Sequence, residues 1–284
     1  MKIEFLGTGG AMTIPRPLCR CRVCEEARIK GVPYSRSGPG LFVHGPNILL
    51  DTSEDIYYQI NRSNINEINA VFYSHWHPDH VMGRRILESI NADWRNYPPK
   101  NRQTNVYLPE QVAVDFNHRL GSGEHLKFFS EQGYIRIHEI KDGDSVWINE
   151  IEIQPFRLAE AYVYAFLLKT QEKKVLIALD ELHNWKPPQT LQGIDLAVLP
   201  IGIFEYHPFT GERLISSGHP VLKEEATFSE TLEIIKELNA KKTVLTHIEE
   251  MNGLSFDELK EVERQLNKKG LEIRIAYDTF IVEV

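Results

Sequence analysis

Ser74-His75-Trp76-His77-Pro78-Asp79-His80 is the stretch on which the reading of this chain turns. It follows directly on Ala70-Val71-Phe72-Tyr73, an apolar run of strand length, and leads into an apolar helix start at Val81. His75, His77, Asp79 and His80 therefore place three imidazoles and a carboxylate on one short loop. Such donors suit zinc, manganese or iron, and a compact loop can aim alternate side chains at two adjacent ions. Solvated surface histidines are the plain alternative. The interleaved Pro78 and Asp79, with a strand immediately before, weigh against it.

Working outward, apolar runs recur at Ile3-Leu6, Gly40-Val43, Asn47-Leu50, Val106-Leu108, Ile135-Ile137, Ile151-Pro155, Ala161-Leu168, Val175-Leu179, Leu196-Leu199, Thr243-Leu245 and Ile273-Ala276. Helical patterns stand out at Thr227-Leu238 and Ser255-Lys268, where Thr227 precedes Glu230 and Ser255 precedes Glu258 at capping-box spacing. Lys169 to Lys174 reads as a hairpin turn, and the stretch from Glu205 to Glu225 has no clear period. Strands interleaved with helices predict an α/β domain, and no linker or repeat divides the 284 residues, so a single domain over 1–284 is expected. Asp51, His75, Asp180 and His247 each stand just past the C-terminal end of a predicted strand, the edge where layered α/β folds gather ligands.

The formal charge of −8 and an isoelectric point near 5.8 disfavour a nucleic acid partner, which requires a positive surface for counterion release. A small substrate is the better expectation. No apolar stretch approaches the roughly 20 residues needed to cross a bilayer, and the opening Met1-Lys2-Ile3-Glu4 is unlike a signal peptide. These features predict a cytoplasmic protein with no membrane partner; a homodimer is left open. All three cysteines fall in Cys19-Arg20-Cys21-Arg22-Val23-Cys24. An odd, clustered set in a reducing compartment is no disulfide framework. It reads either as three thiolate ligands of a structural zinc with a fourth ligand from elsewhere, or as three reduced thiols in a loop.

The histidine loop, the opening Phe5-Leu6-Gly7-Thr8-Gly9-Gly10, Asp180 at a strand end and Leu245-Thr246-His247 together resemble the metallo-β-lactamase superfamily along nearly the whole chain. The resemblance implies a four-layer αββα sandwich holding two divalent ions, zinc or manganese. It places His75 and His77 on one ion and Asp79, His80 and His247 on the other, with Asp180 bridging. Within the superfamily, the early cysteine cluster is similar to that of the cyclic-phosphate phosphodiesterases of the carbon-phosphorus lyase pathway, and coenzyme PQQ synthesis protein B carries a similar cluster.

Members usually have one more histidine before the bridging aspartate. Here that segment is Phe156-Arg157-Leu158-Ala159-Glu160-Ala161-Tyr162, in which Glu160 is the nearest ligand-capable side chain. A carboxylate there would favour harder ions such as manganese. The cysteine zinc of the phosphodiesterases has a histidine as fourth ligand, at the position of Glu250. The resemblance also implies catalytic roles for Asp79 and for His219, a candidate acid for the leaving group, although a plain surface position suits His219 equally. The expected activity is a metal-dependent hydrolase, a phosphodiesterase acting on a small or cyclic phosphodiester through a metal-bound hydroxide. Three rivals are a lactone or thioester hydrolase, a tRNA-processing nuclease, which the acidic balance disfavours, and a non-hydrolytic metal-binding protein resembling the PQQ protein.

Overall fold

A computed structural model describes residues 1–96 and 102–284. The first sheet contains β1 (Lys2–Gly7), β2 (Gly40–His44), β3 (Ile48–Leu50), β4 (Ala70–Phe72), β5 (Thr104–Pro109) and β6 (Ile135–Ile140). The second runs through β7 (Val146–Ile148), β8 (Ile151–Arg157), β9 (Tyr164–Lys169), β10 (Lys174–Ile177), β11 (Leu196–Pro200), β12 (Thr243–Thr246) and β13 (Ile273–Ile275). The last strand, β14 (Ile281–Glu283), returns to the first sheet and pairs antiparallel with β1.

Side-chain alternation sets the layering, because successive residues of a strand face opposite sides of its sheet. Ala70 and Phe72 join a cluster between the sheets with Ile3, Phe5, Phe166, Leu168, Val175 and Ile177, while Val71 joins a cluster beneath the helices. Phe72 stacks on Tyr107 and meets the edge of Phe166 across the seam at 5.5 Å. Burying a side chain of this kind is worth roughly 1.5–3 kcal/mol. Both faces are covered, so the strands read as continuous apolar runs.

Helices Glu110–His118 and Ser122–Glu131 cover the outer face of the first sheet through Val112, Phe116, Leu126 and Phe129. Helices Phe228–Leu238 and Phe256–Lys268 cover the second through Ile234, Ile235, Leu259 and Val262. Both begin with the expected capping boxes, Thr227 with Glu230 and Ser255 with Glu258. The order is helix, sheet, sheet, helix, the αββα sandwich expected from the sequence.

Three departures from the sequence reading have local causes. β7 and β14 escape notice because each is a three-residue strand at a sheet edge. The strand expected from Ala161 begins at Tyr164, because Val163 N–H donates to Glu160 O at 3.1 Å and Leu158 N–H to Val163 O at 2.9 Å, closing a turn. β3 pairs parallel with β4, and β10, β11 and β12 pair parallel in series, so their C-terminal ends share one edge of each sheet. Among the described residues no helix is long and apolar enough to cross a membrane.

Candidate metal centre

At that shared edge the first sheet supplies Asp51 after β3 and the histidine loop after β4. The second supplies Asp180 after β10 and His247 after β12. Three backbone hydrogen bonds join the sheets there, Tyr164 N–H to Ser74 O at 3.0 Å, Ile248 N–H to Thr8 O at 2.8 Å and Gly10 N–H to Ile248 O at 3.2 Å. Asp51, Glu181 and His247 are non-glycine residues with φ of 60°, 56° and 52°. Such left-handed conformations cost free energy and persist where the surroundings over-determine them, commonly at functional sites.

The glycine-rich opening is fixed beside them. Glu249 accepts from Ala11 N–H at 2.8 Å, and a Cβ on Gly10 would lie 2.0 Å from that carboxylate oxygen. A side chain at Gly10 would have to displace the Glu249 carboxylate.

Two ligand triads result. His75, His77 and Asp180 present donor atoms within 4.8 Å of one another, and Asp79, His80 and His247 do the same. Asp180 lies between them: its Oδ2 is 3.5 Å from His75 Nε2 and 3.6 Å from His80 Nε2. His80 Nε2 is 3.3 Å from His247 Nε2 and 3.2 Å from Asp79 Oδ2.

The hydrogen bonds behind the triads fix the tautomers. Asp51 Oδ2 accepts from Ser74 Oγ at 2.6 Å and faces His80 Nδ1 at 2.7 Å, and its Oδ1 accepts from Ser74 N–H at 2.8 Å. A hydroxyl has one proton. With it committed to Asp51, Ser74 Oγ must accept from His75 Nδ1 at 3.0 Å, which leaves His75 Nε2 as a lone pair. That atom is buried and has no hydrogen-bond partner. His80 Nδ1 likewise donates to Asp51 and turns Nε2 to the centre. Orientation of ligating imidazoles by a carboxylate behind them is a recurrent device of metal sites.

Burial lowers His75 well below the ordinary histidine value and lowers His77 in the same direction. Burial also opposes charge on His80, but Asp79 and Asp51 outweigh it and hold that imidazole well above its usual range. For His247, burial is overcome by Asp180 and Asp79, and the value rises to about 10. Burial resists ionisation of Asp79 and Asp180, yet the neighbouring histidines keep both well below the usual carboxylate range. Glu181 is pushed up to about 9 and Glu225 to about 8, by burial first and then by Asp180.

Two sequence-level candidates are not brought together with the triads. Glu160 is exposed at the tip of the turn closed by Val163, and belongs to none of the ligand clusters among the described residues. Tyr162 stands there instead, its ring 5.5 Å from His77 and 6.3 Å from Trp76. His219 is also exposed, with Nδ1 accepting from Val221 N–H at 3.2 Å. Glu181 and Glu225, which sequence reasoning missed, do reach the centre: they cluster with Asp180.

The cysteines gather on a carboxylate. Cys19, Cys21 and Cys24 lie 3.2, 3.6 and 3.5 Å from Glu250 Oε1, and all three are free thiols. Burial raises Cys24 to about 12. Arg16 pairs with the other carboxylate oxygen at 3.4 Å.

A family model described as Beta-lactamase superfamily domain matches residues 46–248, which hold both triads. Ribonuclease Z of Methanococcus aeolicus is 28% identical over 186 residues, covering 62% of this chain and 49% of the relative. The chain therefore spans about half the length of that relative. Among solved structures, a diphosphatase of the PhnP family superposes with a TM-score of 0.73 at 22% identity, over 100% of this chain and 97% of the other. Zinc-bound PqqB from Methylobacterium extorquens gives 0.73 at 14% identity, over the whole of both chains. Helix-flanked paired sheets, ligand triads at their common edge and the match across residues 46–248 lead to one assignment: this chain belongs to the β-lactamase superfamily.

Proposed function

We propose that the chain, acting as one domain, is a metal-dependent hydrolase of small phosphodiesters, with one divalent ion on His75, His77 and Asp180 and a second on Asp79, His80 and His247. The observation that carries this is the pair of triads meeting at Asp180, with His75 Nε2 buried and unpartnered. The donors are imidazole and carboxylate, which fit zinc, manganese or iron. When bound, a pair of such ions supplies Lewis acidity toward phosphoryl oxygens and a water activated near neutral pH.

The chain's own residues set the geometry. Asp51 and Ser74 hold the His75 and His80 rings with Nε2 turned to the centre. Asp79 and Asp180 would offset the charge of bound ions. Trp76 and Tyr162 offer flat surfaces beside His77, and the Arg119 guanidinium lies over the Trp76 ring at 4.2 Å. A small diester suits a centre ringed by Glu181, Glu225 and Glu249 on a chain of net charge −8, since a long polyanion would be repelled.

We also propose that Cys19, Cys21, Cys24 and Glu250 hold a structural zinc, a thiolate-rich four-donor set gathered around one carboxylate oxygen.

The test is a panel: a bis-aryl phosphodiester, an aryl phosphomonoester, a lactone, a β-lactam and a precursor tRNA, each with zinc, manganese and iron. Faster cleavage of the diester supports the proposal. Preference for the lactone or β-lactam would move the chain to acyl chemistry, and preference for the tRNA would move it to the activity named for its ribonuclease Z relative. No turnover at all would favour a non-hydrolytic role.

A further inference from the structure

We propose that Asp180, Glu181 and Glu225 form a third cation site, sharing Asp180 with the first histidine triad and suited to a hard divalent ion such as Mn²⁺ or Mg²⁺. Glu181 directly follows Asp180, and its positive φ turns the two carboxylates to a common space. Glu225 arrives from a distant segment, held by Ile203 N–H donating to Ala226 O at 2.9 Å and Phe228 N–H donating to Ile203 O at 2.8 Å. One oxygen from each of the three lies within 4.8 Å of the other two.

The independent observation is Glu181 itself. It is 4% exposed, and its Oε2 has no hydrogen-bond partner. It lines a cavity of about 10 Å³ together with Asp180, Glu225, Glu249 and His247. That volume accommodates about one water or one small ion. Among the described residues no lysine or arginine pairs with Glu181 or Glu225. Once His247 is given over to a metal as a neutral ligand, Glu181 and half-buried Glu225 face no cationic side chain, and a bound cation would offset the burial of their carboxylates.

The donors are all oxygen, which separates this site from the histidine triads and favours Mg²⁺, Mn²⁺ or Ca²⁺ over zinc. Asp180 can serve both neighbours because a carboxylate has about four lone-pair directions. Its Oδ1 already accepts from Glu181 N–H at 2.9 Å, while its Oδ2 faces His75 and His80. The site is defined by these side chains and does not require the phosphodiesterase reading.

The experiment titrates Mn²⁺ into intact zinc-replete protein and follows the free-ion signal by electron paramagnetic resonance, with zinc measured by elemental analysis. One Mn²⁺ should bind per chain with zinc retained. Glu181→Gln and Glu225→Gln, which keep side-chain size and sit on separate segments, should each weaken Mn²⁺ by about tenfold or more with zinc content unchanged. His77→Ala should keep the Mn²⁺ site. Absence of Mn²⁺ binding by the zinc-replete wild type, equal binding by folded Gln variants, or loss of the site in His77→Ala would each overturn the proposal.

Discussion

Asp51 Oδ2 and His80 Nδ1 meet at 2.7 Å with both side chains fully buried, and the same carboxylate takes both the amide and the hydroxyl of Ser74. Asp51 therefore holds His80 directly and His75 through the Ser74 hydroxyl. Asp51→Asn should keep the fold and lower zinc affinity about tenfold, while Asp51→Ala should lower it up to about a hundredfold. The alanine variant should also lose stability, by about 1–3 kcal/mol for each polar group left unpaired. Chelator competition and thermal unfolding measure the two effects. Unchanged affinity in both variants would remove Asp51 from the metal centre.

Zinc binding should release protons. In the metal-free protein His247 titrates at about 10, so it carries a proton across the neutral range, and His80 is shifted the same way. Zinc must displace those protons, so its apparent affinity should climb with pH and level off as pH approaches 10. The metal-free fold has the matching sign. Ion pairs of protonated His247 stabilise it fully below the ordinary value of 6.5 and are lost as pH rises through about 10. Calorimetry in two buffers of different ionisation enthalpy reads the proton count; identical heats would mean the histidines bind zinc already neutral.

The cysteine site should separate from catalysis. Glu250→Ala should release the thiol-bound zinc and lower the unfolding temperature, whereas Glu250→His, restoring an imidazole donor, should hold zinc at least as tightly as wild type. Folded molecules of either variant should keep the ions of the histidine triads. Three freely titrating thiols in the native protein, with no metal released, would dismiss the site.

Glu160→Ala and His219→Ala should leave metal stoichiometry unchanged, since both side chains lie outside the triads. His77→Ala should lose the first ion and at least two orders of magnitude in hydrolysis. Loss of metal in Glu160→Ala would show that the turn before β9 rearranges when ions bind.

Much of this was legible in the sequence for a local reason. The histidine loop packs its donors into six residues after a strand, so neither spacing nor position depends on distant parts of the chain. Asp180 and His247 could be placed because each follows an apolar run. Glu160 was misplaced because Ala161-Leu168 was read as strand throughout, putting it at the entry; the turn closed by Val163 moves it to a tip and brings Tyr162 inward. Glu225 could not be read at all. Its position depends on backbone bonds between Ile203 and the segment Ala226–Phe228, across a stretch without periodicity.

Neither triad is complete within one sheet. His75 and His77 need Asp180 from across the seam, and Asp79 and His80 need His247. An ion coordinated there would act as a rivet between two halves otherwise joined at that edge by few hydrogen bonds. Removing it should be felt first as local breathing there. Amide exchange should quicken at Tyr164 and Ile248, whose N–H groups bridge the sheets, while the buried strands β10 and β11 stay protected.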